Sequence, residues 1–173
     1  DLDSYQWEHL SLIPGLRMVA FQSGGRAEQP VEAVARFDAT GVEGKLSLPE
    51  GLNPADALIA TSRGRMGVDL KADGAFAAAA ESVLEPGEFL SARVLSDEQQ
   101  RRSRILAQML TPAAGTTHTQ EPTLLVWTKP WEVGLSVAEA KDCVGSALGS
   151  LPIRWERPAV GSQVTIPSPF LSF

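Results

Sequence analysis

The sequence predicts a mainly β protein: an antiparallel β-sandwich, immunoglobulin-like or related, with one amphipathic α-helix near residues 97–110. Three observations point there. Twelve prolines and fifteen glycines punctuate the chain at roughly the 8–12-residue spacing of sandwich turns. The runs between them are short and either apolar or alternating. A single segment combines a cap, a charged face and an apolar stripe at helical spacing.

Taken in order, residues 5–13 alternate imperfectly, Pro14-Gly15 turns the chain, and Leu16 to Phe21 reads as a second strand. After the loop around Ser23 to Pro30, the positions Val31, Ala33, Ala35 and Phe37 alternate with Glu32, Val34 and Arg36. That is the pattern of a half-buried strand. Thr40-Gly41 leads into Val42 to Leu48, and Pro49 to Pro54 breaks it. Asp56 to Thr61 and Met66 to Leu70 form a strand pair around the turn Ser62-Arg63-Gly64-Arg65.

The Ala-rich stretch from Ala75 to Leu84 favours helix by propensity. It is short and lies between Asp73-Gly74 and Glu85-Pro86-Gly87, so it reads as a strand or an irregular edge. Phe89 to Leu95 is read as a strand leading to the helix. Ser96 is a good N-cap, and Gln99 stands at the third helical position of a capping box. Asp97 and Glu98 face the positive end of the helix dipole and stand four residues before Arg101 and Arg102. Ile105, Leu106, Met109 and Leu110 form the docking stripe, so the first half of the helix is expected in solvent and the second half on the sheet.

Thr111-Pro112 ends the helix, and residues 113–122 are a polar loop. Thr123 to Thr128 is too continuously apolar for an edge strand. Val133 to Val137 and Val144 to Leu151 are further strands; Ile153 to Glu156 continues past Pro152, whose position is read as an edge or bulge. Gln163 to Ile166 reads as the last strand.

With 43% hydrophobic and 21% charged residues, the chain can build a core without staples, burying about 70% of its unfolded surface. The length suits one β-rich domain over 1–173; two small β lobes meeting near 111–122 are the alternative. The net charge of −6 excludes a nucleic-acid binder that works by neutralising phosphates. The longest apolar run, Ala75 to Ala80, is far short of the ~20 residues of a transmembrane helix. The chain begins at Asp1 rather than Met, which raises the expectation of a removed signal or anchor.

No catalytic motif stands out. Gly145-Ser146-Ala147-Leu148-Gly149 lacks the central serine of a nucleophile elbow. Cys143 is the lone cysteine, and His9 and His118 are the two histidines; neither a nucleophile–base pair nor a zinc set follows from them. No cofactor is expected. A glycosidase-like hydrolase needs only two carboxylates, and the 21 acidic residues nominate no particular pair.

Binding is better served. In Trp127-Thr128-Lys129-Pro130-Trp131, Pro130 breaks the strand, so Trp127 belongs to the core and Trp131 to the surface. Trp131 is therefore the leading contact residue, with Arg154 and Arg157 as its polar rim. Arg101, Arg102 and Arg104 on the helix are secondary candidates, set against the reading that they form a solvated face balanced by Asp97 and Glu98.

Leu84-Glu85-Pro86-Gly87-Glu88 ahead of an apolar run resembles a turn of bacterial immunoglobulin-like domains of envelope proteins. Asp56 to Ala60 with the following turn is similar to the strand pair before it. Thr123 to Thr128 with Gly145 to Leu148 resembles the second half of extracytoplasmic domains of bacterial membrane proteins. The resemblance covers about half the chain and carries no catalytic residues. It implies a non-catalytic, extracytoplasmic interaction or structural module of a larger envelope-associated protein. Its expected ligand is a protein partner or a glycan; the alternative is the carboxylate-pair hydrolase.

Overall fold

The structure, a computed structural model, describes residues 29–86, 88–90, 94–110, 121–129 and 145–171. The strands expected at 5–13, 16–21 and 133–137 lie outside the described residues, as do Trp131, Cys143, His9 and His118.

Seven strands close into a barrel, which overturns the antiparallel sandwich and its immunoglobulin-like variant. The strands are β1 (Glu32–Phe37), β2 (Gly41–Ser47), β3 (Ala57–Ala60), β4 (Arg65–Leu70), β5 (Ala75–Ala79), β7 (Thr123–Thr128) and β8 (Ala147–Trp155). Their order is β3-β7-β8-β1-β2-β5-β4, and β3 also pairs with β4, which completes the ring. β6 (Val83–Leu84) pairs with Arg65 and Met66 of β4, below the point where β5 meets Asp69 and Leu70. β5 and β6 thus act as two pieces of one interrupted strand. A sandwich keeps two sheets with separate edges. Here β1 pairs with β2 on one side and, in parallel, with β8 on the other, so the sheet is mixed and closed. Alternation and turn spacing are common to sandwiches and barrels. The deciding pairings, residues 57–60 with 123–126 and 33–35 with 153–155, are distant in sequence.

Inward positions fill the barrel. Ala33, Ala35, Val42, Leu46, Ala57, Ile59, Met66, Phe76, Ala78, Leu124, Val126 and Ile153 form one buried apolar cluster. Gly44 makes room for the Phe76 ring: a Cβ there would lie 2.4 Å from Phe76 Cζ. Strands on either side of residues 111–122 contribute to this one interior.

One mouth is closed by the C-terminal segment. Gln163 to Ile166, expected as a strand, is irregular; Thr165 donates its N–H to the Asp38 carbonyl and its hydroxyl to the Ala39 carbonyl, both at 2.7 Å. A 3-10 turn over Ser168–Phe170 follows. Thr61 Oγ1 donates to the Pro169 carbonyl at 3.0 Å. Phe37 stacks on Trp155 with centroids 4.6 Å apart, and Phe170 meets both rings edge-on at 5.3 Å.

A second apolar cluster lies outside the barrel. Leu58, Ala60, Leu125 and Trp127 point outward from β3 and β7 and are covered by Leu84, Phe89 and Leu106. This explains why the stretches Ala57–Ala60 and Leu124–Trp127 are continuously apolar: every residue of both is buried. Leu106 comes from α1 (Asp97–Leu110), whose capping box forms as the sequence indicates. Gln99 N–H reaches Ser96 Oγ at 3.2 Å, and Ser96 N–H reaches Gln99 Oε1 at 3.1 Å.

Two local expectations change, at Phe89 and at Pro152, and the strand reading of the Ala-rich stretch holds. Phe89 and Leu90 lie in a loop rather than a strand, and residues 91–93 lie outside the described ones. Ala75–Ala79 is a strand between β2 and β4, so pairing on both sides overrides the helix propensity of alanine. Pro152 is not on an edge strand: β8 pairs with β7 through residues 147–152 and with β1 from Ile153 onward. The missing N–H falls at the change of partner, where the ladder on the β1 side has yet to begin.

Candidate functional site

With the interior filled, the described surface available for function is the outside of the barrel. On β3 and β7 that outside is covered by α1 and Phe89. Among the described residues the opposite arc, β8-β1-β2-β5-β4, carries no such cover, and its outward side chains surround a depression of about 710 Å³.

Register defines the depression row by row. One row runs Arg154, Val34, Lys45 and Ala75 across β8, β1, β2 and β5. Lys71 continues it at the end of β4, donating its N–H to the Ala75 carbonyl at 2.8 Å. The next row runs Arg36, Glu43, Ala77 and Asp69 across β1, β2, β5 and β4. On the other flank, Glu32 opposes Ser47. The floor is therefore made of small side chains, Val34, Ala75 and Ala77, and charged groups stand between them.

The charges are only partly paired. Arg36 Nε donates to Glu43 Oε1 at 2.6 Å, and this bond together with the Glu43 charge raises the arginine above its ordinary range. Arg154 Nη2 lies 3.5 Å from Glu32 Oε2, with the arginine side chain 62% exposed. Lys45, Lys71, Asp69 and Glu156 also line the depression, and none of them makes an ion pair among the described residues. The arrangement offers an open surface with fixed charges. It can hold a ligand by charge and shape, and its paired acids are already engaged by arginines.

Of the residues singled out from sequence, Arg154 lies in this depression. Arg157 is exposed past the end of β8 and does not line it. Arg101, Arg102 and Arg104 are on α1, on the far side of the ring. Arg102 is not part of a solvated face: its side chain is 13% exposed and is taken up by Asp56, Glu98 and the Trp127 ring. Arg104 Nε donates to the Gln100 carbonyl within its own helix. Trp155, the residue after Arg154 in β8, is spent in the aromatic closure of the barrel mouth. Sequence reasoning missed Lys45, Lys71 and Glu43. Their outward phase is legible, since they alternate with Val42, Leu46 and Leu70, but the strand adjacency that assembles them is not.

Among the described residues no group of three His, Cys, Asp or Glu side chains is placed to hold a metal ion. No described helix is long and apolar enough to cross a membrane. Comparison with known proteins adds no relative: no family model, no curated protein and no solved structure matches the chain.

Proposed function

We propose that this chain is a non-catalytic interaction module that receives its partner on the open arc β8-β1-β2-β5-β4. The observation that carries the reading is the depression of about 710 Å³ with a floor of small side chains between standing charges. A partner can approach such a floor closely, and the charges around it that are unpaired among the described residues supply orientation and on-rate. Catalysis by a carboxylate pair draws on an environment that shifts the two acids apart and excludes water. The acids of this arc instead stand in an open depression, two of them against arginines.

The test is an amide chemical-shift titration of the full chain with panels of short peptides and oligosaccharides. Shifts clustered at Val34, Lys45, Ala77 and Arg154 are the expected result. Product formation from any panel member, abolished by Glu43→Gln or Asp69→Asn, would establish the hydrolase in its place. Shifts confined to α1 or the closed mouth would place the docking surface elsewhere.

A further inference from the structure

We infer that the ligand of this arc is an acidic, proline-rich polypeptide segment in the polyproline II conformation, lying across the strands on the row Arg154, Lys45, Lys71. This rests on the docking face proposed above and adds the chemical class and direction of its partner.

The inference starts from register. Arg154 and Lys45 are two strands apart, with Val34 between them. Lys45 and Lys71 are again two strands apart, with Ala75 between them. Neighbouring strands are about 4.8 Å apart, so cations recur along this row about every 9.6 Å. A polyproline II helix has three residues per turn and a rise of 3.1 Å, so every third side chain returns to the same face about every 9.3 Å. An acidic residue at every third position therefore meets one cation after another. An extended β-strand alternates faces and places same-side residues about 6.8 Å apart, which does not match.

The surroundings agree with a narrow anionic ligand of this kind. Val34 and Ala75 are half-buried and small, leaving apolar gaps between the cations where proline rings can pack. Lys45 and Lys71 are exposed and make no ion pair among the described residues. The Arg154–Glu32 contact, at 3.5 Å, is longer than the Arg36–Glu43 contact at 2.6 Å. Acids flank the row on both sides, Glu32 on one and Glu43 and Asp69 on the other. Arg36 in the second flank is already paired with Glu43, so a ligand displaced sideways by one row meets net like charge, and the flanks fix its line across the sheet. Polyproline II segments also bind with little ordering cost, because the conformation is already populated in the free chain.

The experiment measures fluorescence anisotropy of a labelled peptide of four Glu-Pro-Pro repeats titrated with the full chain at low salt. A peptide of equal charge with Glu at every second position is the spacing control. Expected are saturable binding of the Glu-Pro-Pro peptide, at least about tenfold weaker binding of the control, and at least about tenfold loss in Lys45→Gln/Lys71→Gln. Lys45→Arg should retain most of the binding, and Arg101→Gln/Arg104→Gln, on the far side of the ring, should retain all of it. Each variant is exposed at the surface, and an unchanged thermal melt shows that loss of binding is not loss of fold.

Equal binding of the two peptides, or indifference to the two lysine substitutions, overturns the inference. Binding of an alternating uronate oligosaccharide in place of the peptide, with the same lysine dependence, overturns the polypeptide class and keeps the docking face. If the peptide fails to bind while other panel members shift the arc amides, the inference falls alone. If no panel member shifts them, the docking face falls with it.

Discussion

Arg102 of α1 reaches across to Asp56, just before β3, with Nη1 2.5 Å from Oδ2 and both side chains nearly enclosed. Its second nitrogen, Nη2, meets Glu98 Oε1 at 2.5 Å, one turn earlier in the same helix. Gln99 Nε2 adds a bond to Asp56 Oδ1 at 3.1 Å, and the guanidinium lies 5.8 Å from the Trp127 ring centroid. The first half of α1 is therefore anchored by polar contacts, and the second half by Leu106. Arg102 is a fastening between helix and barrel.

Removing it should be costly. Arg102→Ala leaves Asp56 enclosed with Gln99 as its remaining side-chain partner, and losses of about 3–5 kcal/mol are typical of breaking one half of a buried pair. The exposure of 12–13% at this pair lowers the expectation to about 2–3 kcal/mol. Urea unfolding of Arg102→Ala against Arg101→Ala gives the measure, with Arg101→Ala within about 0.5 kcal/mol of the parent.

Leu106 is 1% exposed and its neighbour Ile105 is 40% exposed. Leu106→Ala should cost about 2–5 kcal/mol, as deletion of a buried leucine does. Ile105→Ala should cost less than about 1 kcal/mol, as a largely surface change does. Equal losses in thermal melts of the two variants would contradict the docking face assigned to α1.

Gly44 allows two close approaches in the barrel interior. A Cβ at this position would stand 2.4 Å from both Phe76 Cζ and the Val34 carbonyl oxygen. Gly44→Ala should therefore destabilise by about 1–3 kcal/mol, the usual range for overpacking. Phe76→Leu should relieve only part of that loss, because the backbone contact with Val34 remains. A double-mutant cycle by denaturant unfolding reads the coupling.

Asp38 ties the β1–β2 turn. Its Oδ1 accepts from Thr40 N–H, Thr40 Oγ1 and Gly41 N–H, each at 2.8 Å. Burial pushes its carboxyl upward, but the Thr40 and Gly41 hydrogen bonds and the nearby Arg36 charge outweigh this and hold it below its ordinary range. Folding thus favours the ionised form. The stability it gives is full above the ordinary carboxylate value of about 3.9 and is lost as pH falls through the lower folded value. Asp38→Ala should cost about 1–2 kcal/mol at pH 7, as loss of charged hydrogen bonds does. Unfolding at pH 3 and below should show the gap to the parent closing.

Much of the local structure was legible in the sequence. The capping box of Ser96 and Gln99 and the alternation of Val31 to Phe37 depend on near neighbours, and near neighbours decide them. So does the fully buried run Leu124 to Trp127. The topology was not legible, because closure depends on which distant strands pair, and alternation is blind to that. Pro152 misled for the same reason: a proline excludes one ladder bond, and only the register shows that β1 does not require it. The role of Arg102 was hidden by its i,i+4 spacing from Glu98, which fits an exposed pair equally well. The arc of Arg154, Lys45 and Lys71 gathers residues from β8, β2 and the end of β4, and no spacing along the chain brings them together.

The closed ring is the premise of everything assigned to the outer arc, and cross-strand nuclear Overhauser effects test it most directly. Backbone contacts are expected at all seven interfaces. Two are decisive: the parallel pair β1–β8, with Val34 beside Arg154, and the antiparallel pair β3–β4, with Leu58 opposite Gly67. Contacts at both would establish the barrel. Their absence at either one, with the remaining interfaces intact, would open the ring into a sheet with two edges and contradict the closed-barrel fold.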